Sequence, residues 1–118
     1  MPHPVEIKVH HVSRLLEITF NSGAKFHLPF EYLRVYSPSA EVRGHGAGQE
    51  VLQAGKKDVG VTKLEPVGNY AVQIYFSDGH NTGIYSWDYF NELGENQTPW
   101  WNAYIERMQQ AGASREAK

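Results

Sequence analysis

The stretch AVQIYFSDGHNTGIYSW, residues 71–87, places two short apolar segments on either side of a tight turn. Val72, Ile74 and Phe76 alternate with other residues, and this period of two puts them on one face of a β-strand. The SDGHN sequence that follows is typical of a turn, because Asp, Gly and Asn tolerate turn conformations. The stretch therefore predicts a β-hairpin and restricts the chain to folds with an antiparallel sheet.

A second hairpin is predicted near the N-terminus. In LLEITF, Leu16, Ile18 and Phe20 share one face, and NSG at residues 21–23 supplies the turn before KFHL. Strand patterns with short helical patterns between and after them are typical of α+β proteins. We therefore predict an α+β fold: a small antiparallel β-sheet built from hairpins, with two or three short helices packed on it.

Three segments have helical patterns. PFEYLRVYS begins at Pro29, SWDYFNELG has Ser86 as a predicted N-cap and Gly94 just beyond its end, and TPWWNAYIERMQQAG has Thr98 as a predicted N-cap. Residues 37–55 carry four glycines and few apolar residues, which predicts a long surface loop. Loops of this length within a compact domain are usually functional or mobile.

The chain has the length of one ordinary domain. Its 118 residues, 41% apolar and 20% charged, are enough for one modest core. No linker composition interrupts them, so residues 1–112 are predicted to form a single domain. The final ASREAK segment has little apolar surface to bury, and residues 113–118 are predicted to be a disordered tail.

Charge and cysteine content exclude several classes of function. The formal net charge is −2, and no basic run exceeds Lys56 and Lys57, so a nucleic-acid partner is not expected. The sequence has no apolar run long enough to cross a bilayer and no signal-peptide core, which predicts no membrane partner and a cytoplasmic location. The absence of cysteine excludes disulfides, thiolate metal sites and cysteine nucleophiles.

Two histidines beside glycines are the candidate chemical groups. His80 lies in SDGHN, where the local pattern favours a turn residue, and His45 lies in RGHGAGQ, where it favours an exposed loop residue. If the fold brought them together, with Asp78 or Glu41 as a third ligand, the set would suit iron(II), zinc or nickel. The sequence shows no nucleophile elbow and no carboxylate pair with acid and base neighbours, so we predict that this chain is not an enzyme.

Two longer segments resemble a known family. LPFEYLRVYSPSAEVRGHG and LEPVGNYAVQIYFSDGHNTGIYSWDYF are similar to the gamma-butyrobetaine hydroxylase-like N-terminal domain, a domain of unknown function. The resemblance implies a small β-rich α+β domain. Such domains occur alone in bacteria, ahead of the oxygenase domain of carnitine-synthesis hydroxylases, and attached to iron–sulfur carrier proteins of the Mrp type.

The resemblance also implies a zinc site that this chain has lost. In the hydroxylases, three cysteines and the histidine of the D-G-H turn hold a structural zinc. The matching positions here are Ser37, Ser39 and Val42 for the cysteines and His80 for the histidine. Serine is a poor zinc ligand and valine is none, so this tetrahedral site cannot form.

The leading functional hypothesis is a non-catalytic accessory or interaction domain with a protein partner, linked to metal or iron–sulfur protein maturation. The alternative is a metal-binding protein that uses His45 and His80 to hold iron or zinc; no other cofactor is predicted.

A third hypothesis, a small enzyme or ligand-binding domain that uses the glycine-rich loop, requires a pocket beside His45. Hydroxylase activity does not carry over, because its iron and 2-oxoglutarate residues belong to another domain. The sequence does not specify an oligomeric state.

Overall fold

Two three-stranded antiparallel sheets and four helices make up the fold. The computed structural model describes residues 2–44 and 50–117. In chain order the elements are β1 (Pro4–His10), β2 (Leu15–Phe20), β3 (Lys25–Pro29), α1 (Phe30–Val35), α2 (Ala40–Arg43), β4 (Val61–Val67), β5 (Ala71–Phe76), β6 (Ile84–Ser86), α3 (Trp87–Glu95) and α4 (Gln97–Gln110). The predicted α+β fold is confirmed, with the hairpins divided between two sheets.

The first sheet has the order β1-β2-β3. Leu16 of β2 pairs with Leu28 of β3, and Ile18 pairs with Phe26. Because side chains alternate across a strand, β2 buries Leu16, Ile18 and Phe20 and leaves the residues between them partly exposed. The face predicted from the sequence is the face that packs into the core.

The second sheet has the order β4-β5-β6. Its central strand, β5, buries Val72, Ile74 and Phe76, as the alternation predicts. Gly79 in the following turn has φ 90°, a conformation that glycine adopts at little cost. The turn returns the chain to β6, and the predicted hairpin is present.

One hydrophobic core joins the two sheets through helices α1 and α3. Its buried side chains from the helices are Phe30, Tyr32, Leu33, Phe90 and Leu93, and they pack with the inner residues of both sheets. A smaller cluster of Val35, Tyr104 and Met108 attaches α4 to α1. Of the helices in the described residues, none is long and apolar enough to cross a membrane.

The helix ends follow the sequence in part. The Ser86 hydroxyl accepts a hydrogen bond from the Tyr89 N–H at 3.1 Å, so the predicted N-cap of α3 is present. Gly94 lies inside α3 rather than beyond it, and a Cβ there would stand 2.3 Å from the Phe26 ring. Glycine is therefore required for close packing, not for termination. The last helix begins at Gln97, earlier than a Thr98 cap implies.

Residues 37–55 are not entirely loop, because α2 lies among them. Ser39 caps this short helix by accepting a hydrogen bond from the Glu41 N–H at 3.1 Å. Val42 on the helix is buried. The segment therefore contains a short helix whose position is set by its N-cap and by the burial of Val42.

The C-terminal segment differs from the expected disordered tail over its described residues, 113–117. The Gly55 and Lys57 N–H groups each donate a hydrogen bond at 2.9 Å, to the carbonyls of Ser114 and Arg115. The Arg115 guanidinium donates two hydrogen bonds to Glu31, at 2.8 and 2.7 Å. Glu31 is a buried carboxylate on α1, and it needs a charged partner that the sequence pattern does not reveal.

Candidate functional site

His80 lies in the turn between β5 and β6, with its ring directed inwards. The backbone N–H of His80 donates to Asp78 Oδ1 at 3.1 Å, and its backbone carbonyl accepts from the Phe76 N–H at 2.9 Å. These hydrogen bonds are typical of a tight turn, which the local sequence predicts. Because the side chain is only 3% exposed, however, His80 also contributes a buried polar group.

Both ring nitrogens of His80 have partners. Nδ1 lies 3.1 Å from Glu41 Oε2, and Nε2 lies 2.8 Å from Ser37 Oγ. An ionised carboxylate can only accept, so Nδ1 carries the proton, and in the neutral ring Nε2 accepts from the Ser37 hydroxyl. Burial of the ring is the main cause that lowers the pKa of His80, and the charge of Arg34 is the second. The lowered pKa keeps the ring neutral near pH 7.

The order Ser37, His80, Glu41 matches the hydrogen-bond order of a catalytic triad. Sequence reasoning missed this relation, because His80 lies about 40 positions from Ser37 and Glu41 and no nucleophile elbow marks the serine. Ser37 is 0% exposed, however, and the Ser39 N–H donates to its hydroxyl at 3.3 Å. A Cβ on Gly83 would stand 2.4 Å from Ser37 Oγ, so the β6 side of the turn packs directly over the serine. A substrate carbonyl has no access to this hydroxyl.

Ser37 and Ser39 both connect to the His80 turn. The Ser39 hydroxyl lies 2.7 Å from the Thr82 hydroxyl, in parallel with the bond between Ser37 and His80. Val42, at the remaining position implied by the resemblance, is a buried apolar residue. Hydrogen bonds thus link the segment before α2 to the turn.

An ion cluster lies on the other side of the turn. Asp78 Oδ2 accepts from Arg34 Nε at 2.9 Å and from Lys56 Nζ at 2.7 Å. Burial alone would raise the pKa of Asp78, but the hydrogen bonds from Lys56 and the His80 N–H and the Arg34 charge lower it to about 2. The carboxylate therefore stays ionised throughout the neutral range.

No metal site is formed among residues 2–44 and 50–117, which contain no group of three His, Asp or Glu side chains placed to hold an ion. His45, the other histidine of the predicted pair, lies outside the described residues. Glu41, one of the two predicted third ligands, is next to His80 Nδ1, and its side chain is 62% exposed. Asp78, the other, bonds the His80 backbone instead.

A groove of ≈ 580 Å³ lies between the helices, and the residues on either side of positions 45–49 reach its rim. We call it the arginine groove; it is lined among others by Tyr36, Arg43, Val51, Tyr89, Trp100 and Arg107. Its volume falls in the range of about 300–1,000 Å³ that is typical of ligand pockets. The third hypothesis required a pocket beside His45, and because His45 lies outside the described residues that hypothesis stays a prediction.

The two arginines of the groove lie over tyrosine rings. The Arg43 guanidinium carbon is 4.9 Å from the centroid of Tyr89, and that of Arg107 is 5.8 Å from the centroid of Tyr36. The tyrosine hydroxyls are held by backbone carbonyls: Tyr89 donates to the Tyr36 carbonyl, and Tyr36 donates to the Trp100 carbonyl at 2.6 Å. A guanidinium over a ring face is attracted to it electrostatically, and N–H groups at its edge can still donate.

Solved structures with the same fold are known. One protein with an NMR solution structure has 42% sequence identity and a TM-score of 0.86, with 100% of this chain and 93% of that chain covered. A second NMR structure has 49% identity and a TM-score of 0.85, over 99% of this chain and 87% of that chain. The crystal structure of a DUF971 family protein of unknown function from Acidithiobacillus ferrooxidans ATCC 23270 has 42% identity and a TM-score of 0.65, over 77% of this chain and 91% of that chain.

No curated protein matches the chain. The family described as gamma-butyrobetaine hydroxylase-like, N-terminal, matches residues 7–91, which contain β2 to β6, α1, α2 and parts of β1 and α3. This range includes the His80 turn and the serines that contact it, and it confirms the resemblance seen in the sequence. The chain therefore belongs to the gamma-butyrobetaine hydroxylase-like, N-terminal family.

Proposed function

We propose that the protein is a non-catalytic interaction domain whose contact surface is the arginine groove. The observation that carries this proposal is the combination, in one groove, of half-buried aromatic rings with arginines that lie over them. Aromatic residues and arginine dominate the binding energy of protein interfaces. Trp100, Tyr36 and Tyr89 are partly buried at the groove, and Arg43 and Arg107 lie beside them.

The buried state of the polar cluster supports a non-catalytic role. Ser37, His80 and Glu41 have the bonding order of a triad, but the serine and the histidine are buried, and Gly83 packs against the serine. A general base must come within hydrogen-bond reach of the proton that it takes from a substrate. The cluster stabilises the fold instead, by satisfying the buried polar atoms of the turn.

We further propose that the partner belongs to the machinery of metal or iron–sulfur protein maturation. This part rests on the resemblance described above, in which related domains are attached to iron–sulfur carriers of the Mrp type. Fold relations alone are weak guides to function, so the partner is assigned by class and not by name.

Val51→Trp tests the groove as a contact surface. Val51 lines the groove and is 52% exposed, so a larger side chain would fill the groove without disturbing the core. The matched control is Val12→Trp, because Val12 is 99% exposed in the turn between β1 and β2. We expect the wild type and Val12→Trp to capture the same protein from native lysate, and Val51→Trp to lose it.

Complementation tests the maturation role. A deletion strain should recover the activities of its iron–sulfur enzymes with the wild type or with Val12→Trp, but not with Val51→Trp. Equal capture by all three proteins would refute the groove as the contact surface. Unchanged enzyme activities on deletion would refute the maturation role.

A metal-binding function is the second candidate, and it is favoured by the proximity of Glu41 to His80. An imidazole and an exposed carboxylate within 3.1 Å could both ligate iron or zinc, with His45 as a further ligand. Such an ion would have to replace the hydrogen bond between Glu41 and Nδ1. Elemental analysis of untagged protein tests the idea: stoichiometric metal that is lost in both His45→Ala and Glu41→Gln supports it, and unchanged metal content in these variants refutes it.

A further inference from the structure

We infer that the arginine groove recognises a carboxylate side chain, Asp or Glu, that a segment of the partner protein presents next to an apolar side chain. This inference rests on the proposed function, since it names the chemistry by which the same groove would bind its partner. Arg43 and Arg107 would bind the carboxylate, and the neighbouring apolar side chain would lie between the aromatic rings.

The first support comes from the ion pairs that the five arginines of the chain form. Arg34 is paired with Asp78, Arg115 with Glu31, and Arg14 with Asp58. Among residues 2–44 and 50–117, no ion pair involves Arg43 or Arg107. The two arginines that lie over tyrosine rings in the groove therefore have no carboxylate partner among the described residues, and an external carboxylate can supply one.

The planar shape of the guanidinium provides the second support. Its donors are pre-organised, so less conformational entropy is lost for each hydrogen bond that it forms with a carboxylate. Arginine and carboxylate can then form two parallel hydrogen bonds, which are stronger than bonds between neutral groups. Arg43 comes from α2 and Arg107 from α4, so the cations approach the groove from two different elements.

The remaining lining favours a carboxylate with an apolar neighbour over a more highly charged group. Glu50 and Glu92 also line the groove, so its four charged residues sum to zero. Two carboxylates nearby would repel a phosphate dianion more strongly than a single carboxylate. Val35, Val42 and Tyr104 supply apolar lining for the neighbouring side chain.

Oriented peptide libraries test the inference. The probes are acetylated and amidated hexapeptides with apolar residues around one fixed position, which is Glu, Gln or phosphoserine in three separate libraries. Sodium phenylacetate serves as a free organic acid. Binding is followed by NMR through the Nε–H signals of Arg43 and Arg107 and the indole N–H of Trp100.

We expect the Glu library to shift all three signals and the Gln library to bind at least about tenfold more weakly, as is usual when a hydrogen bond to a charged group is lost. Arg43→Gln and Arg107→Gln should each weaken binding of the Glu library by at least about tenfold. Lys63→Gln is the matched control, because Lys63 Nζ lies 5.0 Å from the Tyr75 ring centroid, outside the groove. This variant should bind within about twofold of the wild type.

Several results would overturn the inference. Equal binding of the Glu and Gln libraries would exclude carboxylate recognition, and a preference for phosphoserine would assign the groove to phosphorylated segments. Binding of phenylacetate without any peptide would assign it to a small organic acid. Loss of partner capture in Val51→Trp with no response to the Glu library would refute the carboxylate inference alone, while the interaction function would stand.

Discussion

Replacing Arg115 by Ala is expected to destabilise the domain by about 2 kcal/mol. The Glu31 carboxylate is 6% exposed, and its partners are Arg115, at 2.8 and 2.7 Å, and the Tyr104 hydroxyl, at 3.0 Å. Removing one partner of a fully buried ion pair costs about 3–5 kcal/mol. Because the Arg115 side chain is 38% exposed, water can reach the vacated position, and the cost falls toward the range of about 1–3 kcal/mol for one unsatisfied buried group. For a chain of this length, about 2 kcal/mol corresponds to a Tm lowered by about 8 °C.

Thermal and urea unfolding, followed by tryptophan fluorescence, measure this effect. Lys57→Ala is the control in the same region, because Lys57 forms an exposed pair with Glu116, and such pairs contribute at most about 1 kcal/mol. In a double-mutant cycle, the combined loss for Glu31→Gln and Arg115→Ala should be smaller than the sum of the single losses. If Arg115→Ala were no more destabilising than Lys57→Ala, the buried ion pair would not hold the C-terminal segment to the domain.

Three further outcomes follow from particular contacts. Gly83→Ala should destabilise by more than about 2 kcal/mol in urea titrations, because its Cβ would stand 2.4 Å from Ser37 Oγ, and a stability within about 0.5 kcal/mol of wild type would contradict the tight packing. Gly94→Ala should cost a similar amount, since the Phe26 ring lies 2.3 Å from the added Cβ; here an undisturbed Phe26 ring signal in NMR spectra would refute the contact. The pKa of Asp78 is lowered to about 2 from its ordinary 3.8, so its contribution is present above about pH 4 and is lost as the pH falls toward 2. Asp78→Asn should therefore remove on the order of 1 kcal/mol at pH 7 and almost nothing near pH 2, as measured by urea unfolding at both pH values.

The strands and their buried faces could be predicted because the information is local. Alternation fixes the inner face of β2 and β5, and the residues of a tight turn are adjacent in sequence. The same reasoning failed at Gly94, where the constraint is the Phe26 ring of another element and not the helix end. The ends of helices and strands depend on such contacts with other elements. Hydrophobic periodicity along the chain carries no information about those contacts.

Polar contacts that join distant segments could not be predicted from local sequence patterns. Glu31 and Arg115 are 84 positions apart, and His80 is 43 positions from Ser37. Charged residues are almost always exposed, so the sequence gives no reason to bury Glu31 or to dock the tail that satisfies it. The matching of Ser37 with His80 came from the family resemblance alone, and the structure adds that a hydrogen bond links them.

The His80 turn and the arginine groove are connected through α2. Ser39 caps this helix and bonds Thr82 beside the turn, and the same helix ends at Arg43, whose guanidinium lies over Tyr89 in the groove. A four-residue helix has little stability of its own, so its position depends on the cap and on packing. Loss of an N-cap costs about 1 kcal/mol, which is enough to change the population of such a short helix severalfold. Ser39→Ala, remote in sequence from the tyrosine, should therefore broaden or shift the Arg43 Nε–H signal in NMR spectra, while the Arg107 signal on α4 stays unchanged. An unaltered Arg43 signal in this variant would show that the groove is positioned independently of the turn.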